Sequence, residues 1–186
     1  MHPEVLNTPR RKIFKQLPRF RGYYLAGGTA LAIQIGHRVS EDFDLFSPKA
    51  IPRGLRERVR TTFQGLPIIP SVTSRDEFTV LVEGTKVTFL RYPFPVLGKL
   101  ATAGGVQLLN VKEIAATKAY TIGRRGSYKD YVDLDAVLRG RHATLWEIIT
   151  LAERKYGREF NARLFLEQLL YLEDVPETPL VMLKGR

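Results

Sequence analysis

The chain has 186 residues, and 29 Lys+Arg against 19 Asp+Glu leave a formal charge of +10 and a pI near 10.0. At this length one domain, or one domain with an appendage, buries a real core, and 44% hydrophobic with 26% charged residues is an ordinary globular composition. The absence of cysteine excludes disulfide frameworks, thiolate metal sites and Cys nucleophiles, and no run of about 18 apolar residues offers a membrane span. The basic surplus favours a polyanionic partner such as nucleic acid, nucleotide or an acidic protein. The N-terminal stretch MHPEVLNTPRRKIF has basic residues with no apolar run behind them, so it is not a secretory signal and a cytoplasmic protein is expected.

Periodicity divides the chain at a seam near Gly104-Gly105 into a mixed α/β core (1–104) and a helical domain packed on it (105–186). Tyr23 to Ala26 reads as a short strand entering Gly27-Gly28, followed by a helix from Thr29 to Ile35 that Gly36 ends. From Ser40 to Phe46 the pattern alternates, with Ser40, Asp42 and Asp44 on one face and Phe43 and Leu45 on the other. After Pro52, Leu55, Val59 and Phe63 form the stripe of a helix carrying Arg53, Arg56, Arg58 and Arg60 off it. Two β-rich runs, Phe78–Val82 and Lys86–Leu90, flank Glu83-Gly84-Thr85 and predict a hairpin, after which Pro93 and Pro95 are expected to close the sheet.

Capping signals crowd the second part. Asn110-x-x-Glu113 predicts a helix to about Ile122 with Gly123 as its stop, Ser127-x-x-Asp130 one to about Arg139, and Thr144-x-x-Glu147 one ending near Gly157. A last helix is expected over 162–172 with Leu166, Leu169 and Leu170 toward the core. Trp146 is expected in the core, and Pro176 and Pro179 mark a frayed tail.

The stretch from Leu25 to Phe46 carries the chemistry. A strand delivering a diglycine to a helix start exposes backbone N–H groups at the positive end of the helix dipole, where Gly27, Gly28 and the Thr29 hydroxyl can hold phosphate. The returning strand offers Asp42 and Asp44 with Cα atoms about 6–7 Å apart, suited to Mg²⁺ shared with substrate phosphates. Taken singly, a diglycine is usually a tight turn and Asp-x-Asp a solvated strand end; their joint order is far more specific. Lys118 sits in the stripe Val111, Ala115, Lys118, Ile122, where a snorkelling lysine and a phosphate contact are both open readings. His37 reads as a structural hydrogen-bonder at a helix end, and Asp130 as the last member of a capping box.

Leu25-Ala-Gly-Gly-Thr-Ala-Leu with His37-Arg38-x-Ser40-x-Asp42-x-Asp44-Leu-Phe closely resembles the AbiEii/AbiGii toxin family of nucleotidyltransferases, in the DNA polymerase β superfamily. Lys118, Arg124-Arg125 and Lys129-Asp130-Tyr-Val-Asp133-Leu134 extend the likeness to about Leu138. The resemblance implies an α/β (α+β) fold with a nucleotidyltransferase-type mixed sheet, flanking helices and a C-terminal helical bundle. It implies Mg²⁺-dependent transfer of NMP from an NTP to an acceptor hydroxyl. Asp42 and Asp44 would bind metal, Lys118 would contact the triphosphate, Asp130 would be a catalytic acid and Asp133 its companion. RNA, with tRNA as a candidate, would be the acceptor, an antitoxin a possible partner, and the role that of a toxin or phage-defence component. One departure is visible: the superfamily often has a third carboxylate on the strand after the hairpin, and Lys86-Val-Thr-Phe-Leu-Arg91 has none. That gap and the net charge keep open an alternative, a nucleic-acid-binding module on a degenerate transferase fold.

Overall fold

The computed structural model describes residues 1–173 and 175–183. Its strands are β1 (Tyr24–Ala26), β2 (Phe43–Ser47), β3 (Ile68–Thr73), β4 (Glu77–Val82), β5 (Thr85–Arg91), β6 (Ala101–Ala103) and β7 (Val106–Leu108). They form one mixed sheet in the order β3-β4-β5-β2-β1-β7-β6. β1 and β2 are antiparallel with Ala26 opposite Asp44, while β2 and β5 are parallel with Asp44 opposite Thr88. Because directly paired residues share a face, Asp44 and Thr88 point the same way, and Phe43, Leu45, Val87 and Phe89 point the other.

The apolar face is buried by α1 (Thr8–Gln16), the turn after it, and α3 (Leu55–Thr62). Phe14 stacks on Phe43, and Phe20 lies between Phe63 and Phe89 at 5.8 and 4.8 Å. Each such buried side chain contributes roughly 1.5–3 kcal/mol. On the opposite face α4 (Val111–Arg125) and α6 (Leu145–Tyr156) pack together, and their Tyr120 and Tyr156 join Phe46, Tyr92 and Phe94 in an aromatic stack. The Tyr92 and Tyr156 hydroxyls are 2.7 Å apart, and Tyr156 donates on to Thr117 at 3.0 Å. A buried ion pair ties the helices to the loop before β6: Lys155 Nζ reaches Glu113 Oε2 at 2.7 Å and the Pro95 carbonyl at 2.6 Å, while Glu113 accepts from the Leu97 and Gly98 amides.

Several expectations are corrected. The sheet does not close at Pro95, because the Gly104-Gly105 seam is the tip of the β6–β7 hairpin and β7 pairs with β1. Both glycines have positive φ (54° and 80°), as a two-residue hairpin turn requires, so the helical part begins only at Val111. β3, with Pro70 on an exposed edge, was not foreseen by alternation, since a half-exposed edge strand imposes little hydrophobic pattern. β2 is shorter than Ser40–Phe46, and Ser40 to Asp42 form the loop before it. Gly123 does not stop α4, which runs to Arg125; it allows α7 (Ala162–Leu170) to approach, with the Phe165 backbone 3.7 Å from where a Cβ would stand. On α7 it is Phe165 that is buried, and Leu170 is 88% exposed. Trp146, in the first turn of α6, is 76% exposed. The tail is not frayed at residues 181–183: Val39 donates to the Val181 carbonyl at 2.8 Å and Leu183 to that of His37 at 3.2 Å. Among the described residues no helix is long and apolar enough to cross a membrane.

Candidate active site

The site grows from the β1–α2 junction, where α2 spans Gly27–Ile35 and so starts two residues earlier than its apolar periodicity suggests. Ala26, in extended backbone, supplies no side-chain cap, so the first N–H groups of α2 are not capped by their own chain. Gly27 has φ +67°, and a Cβ there would stand 2.6 Å from Asp44 Oδ2. At Gly28 a Cβ would collide with Arg38 Nη2 and approach Asp133 Oδ2 at 3.3 Å. The space that the two glycines leave is therefore filled by the site's own charged groups.

Asp133, on α5 (Tyr128–Arg139), is the hub of those groups and is fully buried. Its Oδ1 accepts from His37 Nε2 and Arg38 Nε, both at 2.7 Å. Its Oδ2 accepts from Arg38 Nη2 at 3.0 Å and lies 2.8 Å from Lys118 Nζ. Burial alone would raise its carboxyl, but Lys118, His37 and Arg38 overwhelm that and hold it far below the ordinary carboxylate range. Lys118 also reaches Asp130 Oδ1 at 2.7 Å. Burial would lower the Lys118 ammonium, and the two carboxylates more than offset this and raise it. Asp130 takes its other oxygen to Ser127, at 2.9 Å from the amide and 2.8 Å from the hydroxyl, so it both caps α5 and braces Lys118. With burial opposing and Lys118 prevailing, it is held ionised below its usual range. An ammonium has three donors, so two carboxylates leave Lys118 one for a further acceptor.

Asp44 differs from these acids. Among the described residues no donor lies within hydrogen-bond distance of its carboxylate, and burial pushes it up; Lys86 and Lys118 pull it down, while Asp42 and Glu77 add to the rise. Asp42 stands at the mouth, with Lys86 Nζ 3.3 Å from its Oδ2. The structure thus brings Asp42, Asp44, Gly27, Gly28, Lys118 and Asp130 into one neighbourhood. Thr29 departs from expectation: it is buried, with its hydroxyl against Ser40 Oγ at 2.7 Å and the Asp42 carbonyl oxygen, so it braces the loop before β2 and does not face phosphate. The α3 arginines also stand apart, on the opposite side of the sheet from the carboxylates, because Phe63 packs that helix on the Phe89 face. Arg124 lies over the Tyr120 ring at 4.3 Å and binds Glu159, whereas Arg125 is exposed. Arg38 and Lys86 were missed as site residues. The role of the first depends on Asp133, 95 residues away, and that of the second on the β2–β5 pairing, neither of which the sequence displays. A recess of 640 Å³ between α5 and residues 177–182 contains none of these carboxylates.

Residues 13–99 match the family model described as nucleotidyl transferase AbiEii toxin, type IV toxin–antitoxin system. An uncharacterized protein of Aquifex aeolicus, aq_aa25, is 36% identical over 166 residues, covering 83% of this chain and 76% of its own. The chain belongs to the AbiEii nucleotidyltransferase family. As an AbiEii protein it is a nucleotidyltransferase by family, and its fold agrees. JHP933 from Helicobacter pylori superposes with a TM-score of 0.61 at 15% identity, over 90% of each chain. The nucleotidyltransferase toxin MenT4 of Mycobacterium tuberculosis gives 0.52 at 14%, over 76% of this chain and 61% of its own.

Proposed function

We propose that the protein transfers a nucleoside monophosphate from a Mg²⁺-bound NTP to a hydroxyl of RNA, with tRNA the first candidate, and acts in this way as a toxin. The observation that carries the reading is the pairing of an unneutralised carboxylate, Asp44, with an uncapped helix start and a braced lysine. Mg²⁺ prefers one or two carboxylates plus substrate phosphates, and Asp42 and Asp44 supply two, while Asp130 and Asp133 are taken up by Lys118 and Arg38. Asp42 and Asp44 would hold the ion, which when bound supplies charge neutralisation at the reacting phosphoryl group. The uncapped N–H groups of Gly28 and the residues after it would orient the triphosphate, and the remaining Lys118 donor would bind it. Asp130 and Asp133 keep that lysine charged and fixed, so Asp130 acts here on Lys118 rather than on substrate. In the transfer the acceptor oxygen bonds to the α-phosphorus, the bond to the bridging oxygen breaks, pyrophosphate leaves and the acceptor proton passes to solvent. The net charge of +10 suits a long polyanionic acceptor.

The test is incubation with each labelled NTP, Mg²⁺ and total RNA, followed by intact-mass analysis of the labelled species. Expected is addition to a discrete RNA class, abolished in an Asp42→Ala/Asp44→Ala double variant. No transfer with any NTP, or an unchanged double variant, would overturn the reading. An antitoxin partner is sought by co-purification from the native host, and retention of full transfer in its presence would exclude direct inhibition.

A further inference from the structure

The strand beside the two site carboxylates carries a base where a further acid would serve a second cation. β2 and β5 run parallel with Phe43 opposite Val87 and Asp44 opposite Thr88, which brings Lys86 beside Asp42, the last residue of the loop before β2. The Lys86 ammonium stands 3.3 Å from Asp42 Oδ2. Both side chains are exposed by about two-fifths (46% and 39%), and ion pairs so open add little to stability. What the contact changes is the charge offered at the mouth of the site. Lys86 is also the strongest charge acting on Asp44, ahead of Lys118.

Two divalent ions sharing a carboxylate pair lie about 3.5–4 Å apart, and each needs oxygens at about 2.0–2.1 Å if it is Mg²⁺. Asp44 can serve one such ion from inside the site. A second would have to draw on Asp42, whose outer oxygen already faces an ammonium, with a neutral Thr88 opposite Asp44 and the next acid, Glu77, one strand further and accepting from Thr79 Oγ1 at 2.7 Å. We propose that Lys86 takes the place of a second divalent cation, so that the site binds a single metal ion with the nucleotide and uses the Lys86 ammonium as a fixed positive charge beside Asp42. This deepens the nucleotidyltransferase reading and rests on it.

The experiment counts Mn²⁺ per bound nucleotide by EPR, after equilibrium dialysis with a non-hydrolysable α,β-methylene NTP analogue, in the wild-type protein, Lys86→Met and Lys86→Arg. Expected is one Mn²⁺ per nucleotide in wild type and Lys86→Arg, and two in Lys86→Met with the broadened spectrum of a spin-coupled pair. Two ions in wild type, or one in Lys86→Met, would overturn the proposal and leave the transferase reading intact. An analogue that does not bind, or binds equally to an Asp44→Asn variant with unchanged Mn²⁺, would overturn the underlying reading and this proposal with it. Circular dichroism of Lys86→Met identifies any misfolded sample before counting; a side chain this exposed is not needed for the core.

Discussion

Replacing Asp133 with Asn keeps the shape of the hub and removes its charge. Lys118 would retain Asp130 at 2.7 Å, but Arg38 would lose its carboxylate and keep only neutral acceptors, the new amide oxygen and the Val39 carbonyl at 3.0 Å. Removing one member of a buried ion pair costs about 3–5 kcal/mol, because the other charge stays buried without compensation. In a chain of this size each 1 kcal/mol moves the thermal midpoint by roughly 2–4 °C, so Asp133→Asn should lower it by about 6–20 °C. Calorimetry at pH 7 measures this directly. The pH dependence adds a second check. Asp133 is held below the ordinary value of 3.8 in the folded chain, so its contribution is complete above that value and is lost as pH falls toward the folded one. The gap between wild type and variant should narrow below about pH 4, by about 1.4 kcal/mol for each pH unit. A midpoint within about 2 °C of wild type at pH 7, or a gap that does not narrow in acid, would refute the reasoning.

Gly28→Ala should destabilise by about 1–3 kcal/mol through overpacking against Arg38, and the penalty should shrink in an Arg38→Met background; equal penalties in both backgrounds, by urea denaturation, would show that Arg38 is not what the methyl group meets. Asp44→Asn should lower transfer by at least about 10²-fold while raising the midpoint of the metal-free protein. The sign follows from Asp44's raised pKa: the folded state disfavours the ionised form, so stability falls as pH rises through the unfolded value and a neutral amide avoids that loss. Lys155→Met should cost about 3–5 kcal/mol and speed hydrogen exchange at the Leu97 and Gly98 amides, which depend on Glu113 for their acceptor; unchanged exchange at those two amides would place the loop's anchor elsewhere.

Where local rules set the structure, the sequence was readable. Asn110, Ser127 and Thr144 start helices because each cap acts within four residues, and Glu83-Gly84 turns a hairpin because the φ values it needs are local. What could not be read depended on partners distant along the chain. Trp146 lies in the first turn of α6 and Leu170 at the end of α7, where composition alone could not say which apolar residues would be left outside. The β6–β7 hairpin is only three residues per strand and shows its role solely through pairing with β1. In the site, Asp42, Asp44 and Lys118 were visible as residue types at informative spacing. The roles of Thr29 and Gly28 were not, because they are set by Ser40, Arg38 and Asp133.

The dependence of Arg38 on Asp133 also sets an order of events during synthesis. The two residues are 95 positions apart, and at about 5–20 residues per second the ribosome needs roughly 5–20 s to go from one to the other. Throughout that interval the nascent β1–α2–β2 segment carries Arg38 and His37 with no buried acceptor to receive them, and Lys118 later emerges before either of its carboxylates. A nascent chain holding only the glycines and the Asp pair therefore lacks the charge balance that closes the site. Only when the last acid of the hub has been made can the buried charges around Gly28 pair.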